Sequence, residues 1–313
     1  AGPPSASEQQ AADPALLAAP DQHLLLLSAQ TPSALATLVG HYRQRLGEGT
    51  DLTALCANAA VGRASLGQRL GVVGRDASAL DQALAAATPL ATPARAPKVA
   101  WLFTGQGSQY RGMGESLYAS DPVFRRTLDR CNTVLEPLLG IALADLLWNE
   151  QYAATLDNTR YTQAALFALE MALAERLLAW GLRPDAVMGH SVGEYAAACV
   201  AGVFTLEEGL TLLAARGRLV DELAGSGGMA AVIADQATVV AGLAGLTGVE
   251  LATLNGPAGQ VIAGEHGPLA AAVAHFQGLG LEVRPLQVSH PFHSKGMEPL
   301  QGAFSEVAGT VAF

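Results

Sequence analysis

The stretch AVMGHSVGEYAAACVAG, residues 186–202, sets Ser191 between Gly189 and Gly193, after an apolar run and before an alanine-rich one. A G-x-S-x-G pattern at a strand-to-helix junction is a nucleophile elbow, in which glycines let the backbone turn sharply enough to present a hydroxyl at a sheet edge. A serine hydroxyl attacks poorly until a base takes its proton, so the pattern calls for a histidine. Of the seven histidines, His23, His41, His266 and His275 fall in the first domain or in helix and turn contexts that suit a solvated side chain. His190 adjoins the serine and, at an elbow, points elsewhere. The segment VSHPFHSKGMEP leaves His290 and His293 as candidate bases, just after the last apolar strand.

Two further features carry chemistry only in context. The glycine-rich turn TGQGSQ (104–109) lacks the G-x-x-x-x-G-K-[ST] phosphate loop and fits G-x-G-x-x-G only in part, so its pattern alone reads as a tight turn. Arg216 sits in the otherwise apolar helix LEEGLTLLAARGRLV, where a solvated charged face is the ordinary explanation.

The elements that must hold these residues alternate. From His23 to about Thr88 a strand HLLLLSA, a helix opened by TPSA, a helix in DLTALCANAAVG, a strand RLGVVG and a helix SALDQALAAA form a small α/β unit. TPLATPARAP (88–97) holds three prolines and reads as an extended linker. A second domain follows, with the strand KVAWLF, a long helix through NTRYTQAALFALEMALAERLLAWG and the strand AVMG leading into the elbow, which implies a largely parallel, covered sheet. From Gly228 the order becomes MAAVIA, ATVVAGLAGL, VELATL, QVIAG, PLAAAVAHFQGLG and EVRPLQV: a β-α-β-β-α-β ferredoxin-like unit inserted into the larger domain.

The chain has 313 residues, half of them apolar, enough for two or three domains. A net charge of −10 argues against a nucleic-acid partner, which needs clustered Lys and Arg. No apolar run is long enough to span a membrane. Cys56, Cys131 and Cys199 show neither a disulfide framework nor a zinc spacing, so no metal is expected and a reducing cytoplasm fits. The polar, Pro-containing start AGPPSASEQQAADP, without an initiating Met, reads as a flexible leader (1–22) of a segment from a longer polypeptide.

FTGQGSQY, YTQAALFALE, GHSVGEYAAACVAG, LLAARGRLV, NGPAGQVIAG and SHPFHS stand in the order and spacing of the malonyl-CoA:acyl-carrier-protein acyltransferase family, and the chain most resembles acyltransferase domains of modular polyketide synthases. Residues 23–97, with LLLLSAQTPSALATLVGHYRQRL, resemble the α/β linker domain that joins such domains to a ketosynthase. The resemblance implies an α/β-hydrolase-like large subdomain (98–227 and 291–313, its C-terminal part missing) and a ferredoxin-like small subdomain (228–290). It makes Ser191 the acylated nucleophile and selects His293, the second histidine of HPFH, as its partner. It gives Gln106 and Val192 the backbone N–H groups of an oxyanion hole. Arg216 becomes a bidentate clamp for the free carboxylate of a malonyl group, a task for which the planar guanidinium suits better than lysine. Gln163, Asn255, His190, His290 and Phe292 fall at substrate-binding positions. In similar domains an aliphatic residue after the serine and an HAFH-like motif accompany malonyl units; here they are Val192 and HPFH, with Pro291 departing from the usual Ala.

The implied reaction is two-step transfer: malonyl-CoA acylates Ser191, and the phosphopantetheine thiol of an acyl carrier protein then removes the acyl group for polyketide assembly. No bound cofactor is implied. Family members continue beyond MEPLQGAFSEVAGTVAF with further strands and a backbone carbonyl that orients the histidine. Two other readings share these residues. A serine thioesterase would need the elbow and the histidine but not Arg216, and a docking fragment of a synthase would need neither.

Overall fold

The computed structural model of the chain describes residues 22–93, 95–223, 227–286, 288 and 290–313. Apart from Gln22, the leader read at residues 1–22 lies outside them. The chain divides into two compact units at Lys98/Val99.

In the first unit β1 (His23–Ala29), α1 (Pro32–Gly47), α2 (Leu52–Val61), β2 (Gln68–Gly74), α3 (Ala77–Ala86) and β3 (Leu90–Ala91) follow in order. Strand β2 lies between β1 and β3, antiparallel to both. Each helix starts where a side chain captures free backbone N–H groups: Thr31 takes that of Ala34, Asp51 those of Thr53 and Ala54, and Asp76 that of Ala79. Alternation along β1 buries Leu25 and Leu27 against Leu35, Leu70 and Leu80. The stretch read as an extended linker departs from that expectation, because Leu90 and Ala91 pair with Arg69 and Gln68 as a third strand. Prolines at 89–97 flank this pair without interrupting it, since an edge strand needs donors on one side only.

The second unit opens with β4 (Ala100–Phe103), followed by α4 (Glu115–Ser120), α5 (Pro122–Leu139), α6 (Leu143–Trp148), α7 (Ala153–Leu156), α8 (Thr159–Ala179), β5 (Ala186–Gly189), α9 (Gly193–Val200) and α10 (Leu206–Asp221). Strands β4 and β5 pair in parallel, Phe103 opposite Gly189. Helix α8 is apolar nearly all round and forms the centre of this part, with Phe167 and Met171 packed among Phe124, Leu128, Leu210 and Leu213. The covered sheet expected here has two strands among the described residues. Phe103 packs on the helices, while Leu102 and Met188 on the other face are 68% and 64% exposed.

β6 (Gly227–Val232), α11 (Gln236–Leu243), β7 (Val249–Gly256), β8 (Gly259–Glu265), α12 (His266–Gly278) and β9 (Val283–Pro285) form an antiparallel sheet of order β7-β8-β6-β9, the ferredoxin-like arrangement. Both helices cover one face through Val239, Leu269, Ala272 and Phe276. The last strand is shorter than EVRPLQV suggests; Gln287 lies outside the described residues. The chain then passes through a turn and a 3-10 segment (Lys295–Leu300) to α13 (Gln301–Ala308).

Candidate active site

The elbow forms because two close approaches forbid side chains. A Cβ on Gly189 would overlap the backbone of Gly193 and Glu194, and one on Gly193 would overlap the carbonyls of Phe103 and Thr104. Glycine at both ends lets β5 turn directly into α9 against the end of β4. The His190 N–H donates to Phe103 O at 3.0 Å, locking the turn to the neighbouring strand. Ser191, between them, has φ 53°, a left-handed conformation that costs a non-glycine residue about 1 kcal/mol or more and is held by these constraints.

His293 arrives from the segment that follows the ferredoxin-like sheet. It has φ 58° in the turn after β9, where Ser294 Oγ donates to Pro291 O at 2.6 Å and accepts from Gly296 N–H at 3.2 Å. These bonds close a tight loop and aim the imidazole back at the elbow. The result is a 2.8 Å hydrogen bond between Ser191 Oγ and His293 Nε2, across 102 positions of sequence. Burial pushes the His293 pKa below its ordinary value, and the charge of Arg216 and then that of His190 push the same way, against an opposing pull from Glu194. The imidazole is therefore neutral at pH 7 and able to accept a proton. The thiols of the second unit are poor nucleophiles: burial raises Cys199 to about 11 and Cys131 to about 12.

Arg216 reaches the same place from α10. Gly217 makes this possible, because a Cβ there would come 2.6 Å from Arg160 O at the start of α8. The guanidinium donates to Gln163 Oε1 at 2.5 Å. Among the described residues no carboxylate lies within ion-pair distance of it, and its pKa is lowered by burial. Arg216 is half-buried, and a cation withdrawn from water is costly in proportion when it has no counter-ion.

A cavity of about 100 Å³ joins these groups, lined by Gln106, Ser191, Val192, Arg216 and His293 at its polar end and by Met229, Val261, Leu286, Val288 and Phe292 at its apolar end. Among the described residues the backbone N–H groups of Gln106 and Val192 have no acceptor. His190 and Asn255 also border the cavity and meet each other, Nε2 to Oδ1 at 3.1 Å. Gln163 and His290 stand one layer out. Gln163 is fully buried against Arg216, and His290, also buried, meets the Phe292 ring edge-on. Met229, Val261, Leu286 and Val288 of the apolar wall, and Thr159, which bonds both Gln106 and Gln163, were not singled out from the sequence. The i, i+4 spacing of Thr159 and Gln163 on one helix is the signal that could have found Thr159.

Residues 100–312 match the family model described as acyl transferase domain, and residues 23–84 match one described as CurL-like, PKS C-terminal. The spectinabilin polyketide synthase system protein NorB of Streptomyces orinoci is 44% identical over 219 residues, 69% of this chain and 10% of that protein. Erythronolide synthase EryA3 of Saccharopolyspora erythraea is 34% identical over 294 residues, 91% of this chain and 9% of that protein. The chain thus spans about a tenth of the length of these curated relatives. The acyl transferase domain of SpnD, solved in complex with 2-(pent-4-yn-1-yl)malonyl, superimposes with TM-score 0.84 at 35% identity over 93% of this chain and 70% of that one. The malonyl CoA-acyl carrier protein transacylase of Clostridium perfringens gives TM-score 0.64 at 30% identity over 69% of each chain.

Proposed function

Because the chain belongs to the acyl transferase domain family, we propose that it loads a malonyl unit from malonyl-CoA, through an ester on Ser191, onto the phosphopantetheine thiol of an acyl carrier protein. The observation that carries this reading is Arg216, a half-buried, partly desolvated cation without a carboxylate partner among the described residues, in one cavity with the Ser191–His293 pair. A thioesterase acting on neutral acyl chains gains nothing from that charge, whereas a dicarboxylic acyl group supplies its missing counter-ion in bidentate form.

In the first step His293 Nε2 takes the Ser191 proton as Oγ attacks the thioester carbonyl. The carbonyl oxygen becomes an oxyanion that accepts hydrogen bonds from the backbone N–H groups of Gln106 and Val192; losing one such donor typically costs about 3 kcal/mol of transition-state stabilisation. Collapse of the intermediate breaks the C–S bond, and the CoA thiolate leaves with the proton held by His293. In the second step His293 deprotonates the carrier thiol, which attacks the seryl ester and regenerates the serine. The acyl group enters and leaves as a thioester, and the seryl ester is the only oxygen ester on the way.

Phe292, 7% exposed on the apolar wall, disfavours a donor with an additional methyl group. His190 and Asn255, paired at the mouth, bind the part of the donor that remains outside. The match of residues 23–84 supports residues 23–97 as a linker domain next to a ketosynthase; residues 98–227 and 291–313 then form the hydrolase-like subdomain and 228–290, which carry the antiparallel β7-β8-β6-β9 sheet, the small one. The reaction needs no bound cofactor. Its setting is the cytoplasm, where CoA esters are available.

Intact-mass measurement after incubation with malonyl-, methylmalonyl- and acetyl-CoA tests the reading. A malonyl adduct is expected on the wild type and none on Ser191→Ala, with the preference moving toward acetyl in Arg216→Ala. Rapid release of free malonate, without transfer to any carrier, would favour the hydrolase; no adduct from any donor would leave a docking role.

A further inference from the structure

The side chains of Arg216, Gln163, Thr159 and Gln106 stand in single file, joined by hydrogen bonds of 2.5, 2.9 and 3.0 Å. One end fixes the direction of them all. A guanidinium only donates, so Gln163 turns Oε1 toward Arg216 and Nε2 toward Thr159. Thr159 Oγ1 accepts that N–H, which leaves its own hydrogen for Gln106 Oε1. Gln163 is fully buried and Thr159 is 3% exposed, so bulk water does not replace either link. Buried polar groups are stabilising only when paired, and an apolar pair on α8 would fill this space without that demand. The file runs from the group that meets the donor's far end to the turn that meets its reacting carbonyl.

We propose that Thr159 is a positioning residue that couples the grip of Arg216 on the donor carboxylate to the placement of the Gln106 turn. The proposal rests on the roles given above to Arg216 and Gln106. A carboxylate drawing the guanidinium toward itself pulls on Gln163 Oε1, and Gln163 Nε2 carries the displacement through the Thr159 hydroxyl to the Gln106 side chain. The backbone N–H of that same Gln106 faces the oxyanion. A neutral acyl group exerts no such pull. The preference for a dicarboxylic donor is therefore expressed in the rate of acylation at saturation as well as in binding.

Single-turnover acylation of Ser191, followed by intact mass with saturating malonyl-CoA or acetyl-CoA, tests the coupling. Thr159→Val keeps the side-chain shape and removes both hydrogen bonds. It is expected to slow malonyl acylation about tenfold to a hundredfold, the usual consequence of a broken buried hydrogen bond, and acetyl acylation less than about threefold. Thr159→Ser restores the malonyl rate. Gln106→Met cuts the file at its outer end, away from the packing of α8; it is expected to slow both donors through the oxyanion turn but malonyl the more, so the test does not hinge on one variant folding. In an Arg216→Ala background Thr159→Val has no further effect on either donor. Equal losses with both donors, or an undiminished loss without Arg216, would make Thr159 a structural residue only and overturn the coupling. A wild type that forms no malonyl adduct is a different failure, since it removes the functional reading itself and the coupling with it.

Discussion

Between His23 and Lys98 no buried side chain among the described residues is polar or charged, and Leu25, Leu35 and Leu80 are wholly inaccessible; α8 in the second unit buries Thr159, Thr162, Gln163 and Glu170. Both cores close on apolar contacts of the same kind, but only one retains groups that need specific partners. Burying a polar group costs free energy unless each of its hydrogen bonds is replaced. A helix that carries several of them holds something in place. Here Gln163 and Thr159 support Arg216 and Gln106, Thr162 ties α8 to Leu156 O, and Glu170 Oε1 accepts from Thr104 N–H and Oγ1 at 2.8 and 2.9 Å, anchoring the start of the 104–109 turn.

The apolar side of the contrast breaks most easily at Leu80. Truncation to alanine removes a fully buried side chain from a small core and is expected to destabilise the first unit by about 3 kcal/mol. Calorimetry should show a lowered transition for that unit, while Ser191 still becomes acylated at temperatures below it. An unchanged transition would mean that the core of residues 23–97 is not held as described.

The polar side responds in the opposite sense at Glu170. Desolvation raises its pKa from 4.5 to about 7, the bonds from Thr104 opposing the shift, and Oε2 has no partner. The folded chain thus binds this proton more tightly than the unfolded chain. The carboxyl's contribution to stability is greatest below pH 4.5, falls as pH rises toward about 7, and is level above that. Glu170→Gln keeps an acceptor for Thr104 and removes the charge. It is expected to raise stability at pH 8 by on the order of 2 kcal/mol and to flatten the dependence between pH 4.5 and 7. Equal denaturation midpoints for the two proteins at pH 8 would show that Glu170 is already satisfied.

The same contrast explains what the sequence could disclose. Alternation, caps and glycine ends made both α/β units and the β-α-β-β-α-β order readable, because those signals are local. Leu90 and Ala91 were not readable as a strand, since their pairing with β2 is set by tertiary contact and their prolines suggest a linker. At the site, residues alone narrowed the base to His290 or His293, and motif order chose between them; the bond from His293 to Ser191 is the outcome of a turn no window of sequence contains. Thr159 stayed hidden for a similar reason. A threonine near a helix start reads as a cap, and only the approach of α10 at Gly217 turns its hydroxyl into a link between two distant side chains.

The smallest effect concerns the charge balance around His293, which has no counterpart in the first unit. Burial lowers its pKa below 6.5, Arg216 and His190 lower it further, and Glu194 partly offsets them. A base acts when unprotonated, so the acid limb of acylation, measured with acetyl-CoA to avoid the clamp, should lie below pH 6.5 in the wild type. Arg216→Gln removes a positive charge that disfavours the imidazolium, and the limb should move up by a fraction of a pH unit. Glu194→Gln removes a negative charge that favours it, and the limb should move down. Opposite displacements from two substitutions on different helices distinguish an electrostatic field at the imidazole from altered burial, which would carry both variants the same way. Coincident limbs for all three proteins would mean that solvent screens His293, and that the polar core around α8 positions the site without tuning its base.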